Sequence, residues 1–98
     1  MSDENVLKIS IDSNPEMVAR AIAYKFEAVN DIQNVNTIVE LRAMGSSASY
    51  VALKSVICAR GLVAPKGINL VCIPAYGEVT DNDGTRKVVM RIILKPEF

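Results

Sequence analysis

The hydrophobic pattern changes period along the first half of the chain and predicts a strand, a helix and a second strand. Residues 6–11 alternate apolar and polar positions, as a strand with one buried face does. Capping residues then precede Pro15, and apolar positions spaced by three and four predict an amphipathic helix to about residue 30. After a polar connection over 31–36, residues 37–43 predict the second strand. We expect the side of this strand that carries Glu40 and Arg42 to be solvated.

A strongly apolar segment over residues 48–60 predicts the second helix. Residues 45–47 supply a turn and a hydroxyl cap before it, and Gly61 stands where a left-handed residue ends a helix. The helix has only a narrow polar strip and therefore requires burial on more than one side. Since two helices on one sheet do not easily provide that burial, we expect part of the helix to contact another subunit.

Two strands joined by a tight turn are predicted for the end of the chain. Residues 68–76 are apolar on both faces, and Pro74 indicates an edge strand because proline cannot donate a ladder hydrogen bond. Residues 81–84 (Asp-Asn-Asp-Gly) predict a hairpin turn, and residues 85–95 the last strand. The order βαβαββ predicts an α+β fold, a two-layer sandwich with a four-stranded mixed sheet. We expect one domain over 1–98, with residues 1–5 as a flexible N-terminus.

The residue inventory excludes most catalytic chemistry. The 98 residues include no histidine, no tryptophan and two cysteines, so histidine-dependent catalysis and histidine or multi-cysteine metal sites are excluded. We expect a protein that is not an enzyme and that has no catalytic residues, cofactor or metal. Cys58 and Cys72 are expected to be buried as small core residues in a reducing cytoplasm. No apolar run approaches the roughly 18 residues of a membrane span, so no membrane association is expected.

The charges sum to zero but are unevenly distributed. Residues 1–40 hold three basic and seven acidic residues, 41–77 hold four basic and no acidic ones, and 78–98 hold four of each. Lys87, Arg91 and Lys95 share one face of the last strand, because they recur at even spacings along it. Lys8 extends this patch if the outer face of the first strand is the same. Such a basic face favours nucleic acid, while an ordinary solvated face explains the same residues.

Several side chains have both a functional and a structural interpretation. Gly45, Ser46 and Ser47 either bind an anion at a helix start or simply cap the helix. Arg42 lies near that loop and either clamps a phosphate or pairs with Glu40 or solvent. Exposed aromatic residues stack on bases or pack at subunit and hairpin contacts; these are Tyr50 and Tyr76.

Residues 56–76 carry the most distinctive run of the chain, Val-Ile-Cys-Ala-Arg-Gly-Leu-Val-Ala-Pro-Lys-Gly-Ile-Asn-Leu-Val-Cys-Ile-Pro-Ala-Tyr. This run resembles the stage V sporulation protein S family, whose members carry Ala-Arg-Gly, an aromatic or aliphatic residue, Val-Ala-Pro and an apolar strand ending in Ile-Pro-Ala. The resemblance extends back through Lys54, Ala52 and Gly45 and covers most of the chain. It implies a regulatory role in spore development.

That family resembles the Alba superfamily of small chromatin and RNA-binding proteins, which has the same βαβαββ order. The resemblance implies a homodimer or higher homo-oligomer that binds DNA or RNA through two loops and the long hairpin. Carried over by position, the implied contacts are Ser13 and Asn14, then Arg42, Gly45, Ser46 and Ser47, then Arg86 and Lys87. Asp12 departs from the Alba pattern, which has lysines in the first loop. The alternative is a homo-oligomeric protein-protein scaffold that binds no nucleic acid.

Overall fold

The predicted order of elements is confirmed by the computed structural model, which describes residues 5–27 and 37–97. The elements are β1 (Val6–Ile9), α1 (Pro15–Glu27), β2 (Val39–Ala43), α2 (Gly45–Val63), a short 3₁₀ helix (Ala64–Lys66), β3 (Asn69–Thr80) and β4 (Arg86–Glu97). The predictions for residues 28–36 and for most of the flexible N-terminus lie outside the described residues.

The four strands form one mixed sheet in the order β1-β2-β4-β3. β1 and β2 are parallel, and β4 is antiparallel to both of its neighbours. β3 is an edge strand, as Pro74 predicted. The pairing of β2 with β4 ends at Ala43 and Met90, whereas β3 and β4 pair as far as Thr80 and Arg86. The hairpin therefore projects past the ends of β1 and β2 and elongates the molecule to 44 × 24 × 18 Å.

Both helices cover the same face of the sheet and enclose the core. Alternate strand residues point to this face, among them Leu41 of β2 and Leu94 of β4, which are fully buried. From α1, Ile22 and Phe26 are fully buried against them, at the helical spacing of four. α1 starts where predicted because the Asn14 side-chain oxygen accepts hydrogen bonds from the backbone N–H groups of the first turn.

The boundaries of α2 differ from the prediction at both ends. At its start, Met44 is the N-cap residue and makes no side-chain capping bond, so the predicted hydroxyl cap is wrong. At its end, Gly61 lies inside the helix, because Val63 beyond it is fully buried in the core. The left-handed residue is instead Gly67, with φ +79°, after the 3₁₀ turn.

The continuous helical segment over residues 45–66 is long and apolar enough, by length and composition alone, to cross a membrane. The segment reaches this length because the helix continues past Gly61, the end predicted from the sequence. Within this fold the segment is a core helix: its small side chains, including Ala52 and Ala59, are fully buried against the sheet and α1. Only 33% of its most apolar window is buried, so the outer side of α2 is left uncovered.

Candidate nucleic-acid interface

The face of the sheet opposite the helices, here called the open face, carries a row of cationic side chains. Leu41 and Ala43 are buried under the helices, so Arg42 between them points to the open face. The strand register sets Arg42 beside Lys8 of β1 on one side and beside Arg91 of β4 on the other. Three cations thus occupy adjacent strands, which lie about 4.8 Å apart. We call Lys8, Arg42 and Arg91 the cationic row.

Glu40 lies on the same face and compensates part of this charge. Its Oε1 accepts hydrogen bonds from Arg91 Nε at 3.1 Å and Nη2 at 2.7 Å. Its Oε2 accepts a hydrogen bond from Arg42 Nε. Glu40 is fully buried, whereas the Arg42 and Arg91 side chains are 40% and 33% exposed. The expectation that the Glu40 side of β2 is solvated is therefore wrong for Glu40, because an arginine 51 positions later covers it.

The two ion pairs change the protonation behaviour of the cluster. The hydrogen bonds from Arg91 are the largest cause that lowers the pKa of Glu40 from its usual 4.5, and the contacts with Arg42 act in the same direction against the effect of burial. Glu40 in turn raises the pKa of Arg91. The Glu40 carboxylate and the Arg91 guanidinium are therefore charged at neutral pH.

The other predicted cations of β4 flank the row without joining it. Lys87 and Lys95 lie four residues from Arg91 in either direction, on the same open face, at about 13–14 Å by strand rise. Lys87 forms an ion pair with Asp81 at the hairpin turn, with 2.7 Å between Nζ and Oδ2. Lys95 is exposed and forms no ion pair within residues 5–27 and 37–97. Arg86 is one residue out of phase, so it points to the opposite side of the hairpin.

The two predicted loops meet at one end of the sheet, on the side toward which the hairpin projects. The end of β1 and the start of α2 enclose an open cavity of about 510 Å³. Ser10 and Ile11 line one side of it, and Ser46 and Ser47, both exposed, line the other. Asp12 is exposed in the first loop. The site residues carried over from the resemblance are thus divided between this end and the open face, except for Arg86 on the opposite side of the hairpin.

An apolar groove separates the outer side of α2 from the hairpin. This groove has a volume of about 600 Å³. Its lining includes Tyr50 and Leu53 of α2, Cys72, Pro74 and Tyr76 of β3, and Val88 of β4. Tyr76 is 80% exposed. The burial expected for Cys58 and Cys72 is wrong, since both are exposed, Cys58 on the side of α2 next to α1 and Cys72 in the groove. Hydrophobic periodicity predicted α2 and β3, but it did not predict which sides of them remain exposed in the fold.

Taken together, the topology and the helix-free sheet face define a small α+β protein with the βαβαββ order, compatible with the Alba-like fold. A comparison with protein-family models matches residues 5–97, nearly the whole chain, to stage V sporulation protein S. The chain therefore belongs to the stage V sporulation protein S family. Membership supports a role as a sporulation-related regulatory protein.

Proposed function

We propose that this protein is a homodimeric regulator that binds DNA or RNA through phosphate contacts. The observation that carries the proposal is the cationic row, flanked on the same face by Lys87 and Lys95. Cations directly opposite one another on adjacent strands repel each other and destabilise a sheet. A bound polyanion would reduce this repulsion among Lys8, Arg42 and Arg91. The contacts would be to the sugar-phosphate backbone and would discriminate little between sequences.

The apolar groove supports the dimeric part of the proposal, with a second copy of this chain as its occupant. The exposed side of α2 adds Ile57, 63% exposed, to the large apolar side chains of the groove. Because the chain has no net charge, no long-range repulsion opposes the approach of two copies. A dimer would also double the number of cations available to one nucleic acid.

The decisive experiment is an electrophoretic mobility shift with labelled duplex DNA and single-stranded RNA over a salt series. If a dimer neutralises about four to six phosphates, the logarithm of the affinity falls with the logarithm of the salt concentration at a slope of about −4 to −5. Lys8→Ala with Lys95→Ala, which removes two cations of the open face, should flatten this slope. The matched control, Arg20→Ala with Arg60→Ala, removes two cations from the helix layer and should leave it unchanged. Absence of salt-sensitive binding to either probe overturns the proposal.

The apolar groove also favours the second candidate, a homo-oligomeric scaffold that binds no nucleic acid. Native mass spectrometry of the same samples separates the two functions. Assembly together with a mobility shift supports the nucleic-acid regulator, whereas assembly without any shift supports the scaffold. Leu53→Asp, which places a carboxylate in the groove, should yield monomers under either function, and Arg20→Asp on α1 is the control.

A further inference from the structure

The buried position of Glu40 is unusual for a surface meant to attract phosphate. A carboxylate at the centre of a cationic face subtracts charge and weakens long-range attraction for a polyanion. Yet Glu40 is the most buried charged residue of the part of the chain that the structure describes, and all three of its hydrogen bonds come from arginines of the open face. Glu40 can therefore favour phosphate binding only through the orientation that it gives to those arginines.

The contacts leave donors of both arginines directed away from Glu40. Arg42 uses only Nε, so neither of its terminal Nη groups has a partner among the described residues. Arg91 uses Nε and Nη2 and leaves Nη1 without one. Arginine donors in a fixed plane match the oxygens of a phosphate, and a fork that is already oriented loses less entropy on binding than a mobile side chain does.

Gly77 of β3 adds an independent observation about Arg91. A Cβ at Gly77 would lie 2.6 Å from Arg91 Cδ and 3.0 Å from its Cγ, so the aliphatic stem of Arg91 occupies the place of a side chain. The φ angle of Gly77 is not positive, and the backbone there does not require glycine. Since Glu40 holds the guanidinium at the far end, the stem cannot move aside without loosening the ion pair. The absence of a side chain at Gly77 thus leaves room for the Arg91 stem in the orientation in which Glu40 binds its guanidinium.

We propose that Glu40 is a positioning residue, which holds Arg42 and Arg91 as a paired binding site for one backbone phosphate, with Lys8 at its edge. This inference rests on the proposed nucleic-acid function and names the centre of that site. It also distinguishes two kinds of cation on the open face: those held in a fixed orientation by an ion pair with Glu40, here called organised cations, and those that contribute only charge. Arg42 and Arg91 belong to the first kind, and Lys95, which lacks an ion pair in the described ranges, belongs to the second.

Two substitutions with the same charge change test the proposal because it predicts opposite results for them. Glu40→Gln and Glu97→Gln each remove one negative charge from β2 and β4 respectively, and Glu97 is exposed without an ion pair in the described chain. Charge alone predicts tighter binding for both. The proposal predicts tighter binding only for Glu97→Gln. In Glu40→Gln, the amide oxygen can accept a hydrogen bond from one arginine, but the NH₂ group then faces the other arginine and cannot accept from it. The dissociation constant of this variant should therefore rise about three- to tenfold.

Gly77→Ala displaces the Arg91 stem without changing any charge and should also raise the dissociation constant. Gly61→Ala is its control, since a Cβ there meets no atom within 4 Å. All five proteins are titrated by fluorescence anisotropy with labelled duplex DNA and single-stranded RNA, below the unfolding midpoint of every variant. If the wild type binds neither probe, the proposed function itself fails. If it binds and Glu40→Gln binds as tightly as Glu97→Gln, the function stands and the positioning role is overturned.

Discussion

The two faces of the sheet are stabilised by different physical means, although the same strands contribute to both. On the helix side, Leu41 and Leu94 are buried by α1 and α2 and contribute through removal of apolar surface from water. On the open face, Glu40 is equally buried, but by two arginine side chains that remain partly exposed. Burial on the helix side therefore results from apolar packing. Burial of Glu40 on the open face results from ion pairs with arginines that are still in contact with solvent.

The largest effect that separates the faces is expected from Leu41→Ala. Removing a fully buried leucine side chain from the core should lower the free energy of unfolding by about 2–5 kcal/mol. Arg42→Ala, one residue along on the open face, leaves one carboxylate oxygen without its donor and should lower it by about 1–3 kcal/mol. Urea denaturation at a fixed protein concentration measures both. A loss for Arg42→Ala that exceeds the loss for Leu41→Ala would contradict this difference between the faces.

A smaller effect, with a defined pH dependence, is expected from Glu40→Gln. Because the pKa of Glu40 is lowered in the folded state, its ionised form stabilises the fold at pH values above the usual 4.5. This contribution is lost as the pH falls below 4.5 toward the folded-state pKa. The wild type should thus be more stable than Glu40→Gln at neutral pH, and the difference should shrink on acidification.

Urea denaturation of both proteins at neutral pH and at several values below 4.5 measures this difference. The control is Glu97→Gln, which changes an exposed carboxyl and should show little difference at any pH. The pKa of Asp83 is also lowered, by a hydrogen bond from the Thr85 backbone N–H. Asp83 is present in all three proteins, so its titration cancels in the comparison. A stability difference that stays constant across the pH series would contradict the ionised role of Glu40.

The sequence predicted the helix face of the sheet far better than the open face. Alternation with a period of two identifies Leu41 and Leu94 as core residues, because burial under a helix depends on local pattern. The pair of Glu40 with Arg42 is local, since the two residues lie two positions apart on one strand face, and it was one of the alternatives considered for Arg42. The pair with Arg91 depends on strand order and register, which bring Arg91 beside Arg42 across 48 intervening positions in the chain. A single sequence contains no local signal for such a pairing, so Glu40 was expected in solvent.

The sequence predicted which basic residues share the candidate site, but it did not predict which of them form ion pairs there. Strand periodicity put Lys87, Arg91 and Lys95 on one face and suggested that Lys8 extends it, and the register agrees with this grouping. Arg86, which points to the other side of the hairpin, was grouped with them only through the family resemblance. Strand periodicity did not distinguish the organised arginines from Lys87, whose partner Asp81 follows from the geometry of the hairpin turn.

The smallest expected effect concerns the end of α2. The sequence predicted Gly61 as the left-handed residue that ends the helix, whereas the structure has Gly67 in that conformation. Gly61 and Gly67 are both exposed, and a Cβ at either position meets no atom within 4 Å, so they differ only in backbone conformation. Gly61 is helical, and Gly61→Ala should raise the free energy of unfolding by about 0.5–1 kcal/mol. Gly67 has φ +79°, and Gly67→Ala should lower it by about 1–2 kcal/mol. Opposite signs in urea denaturation would support a helix that continues to Val63, because a helix that ended at Gly61 would give the reverse order.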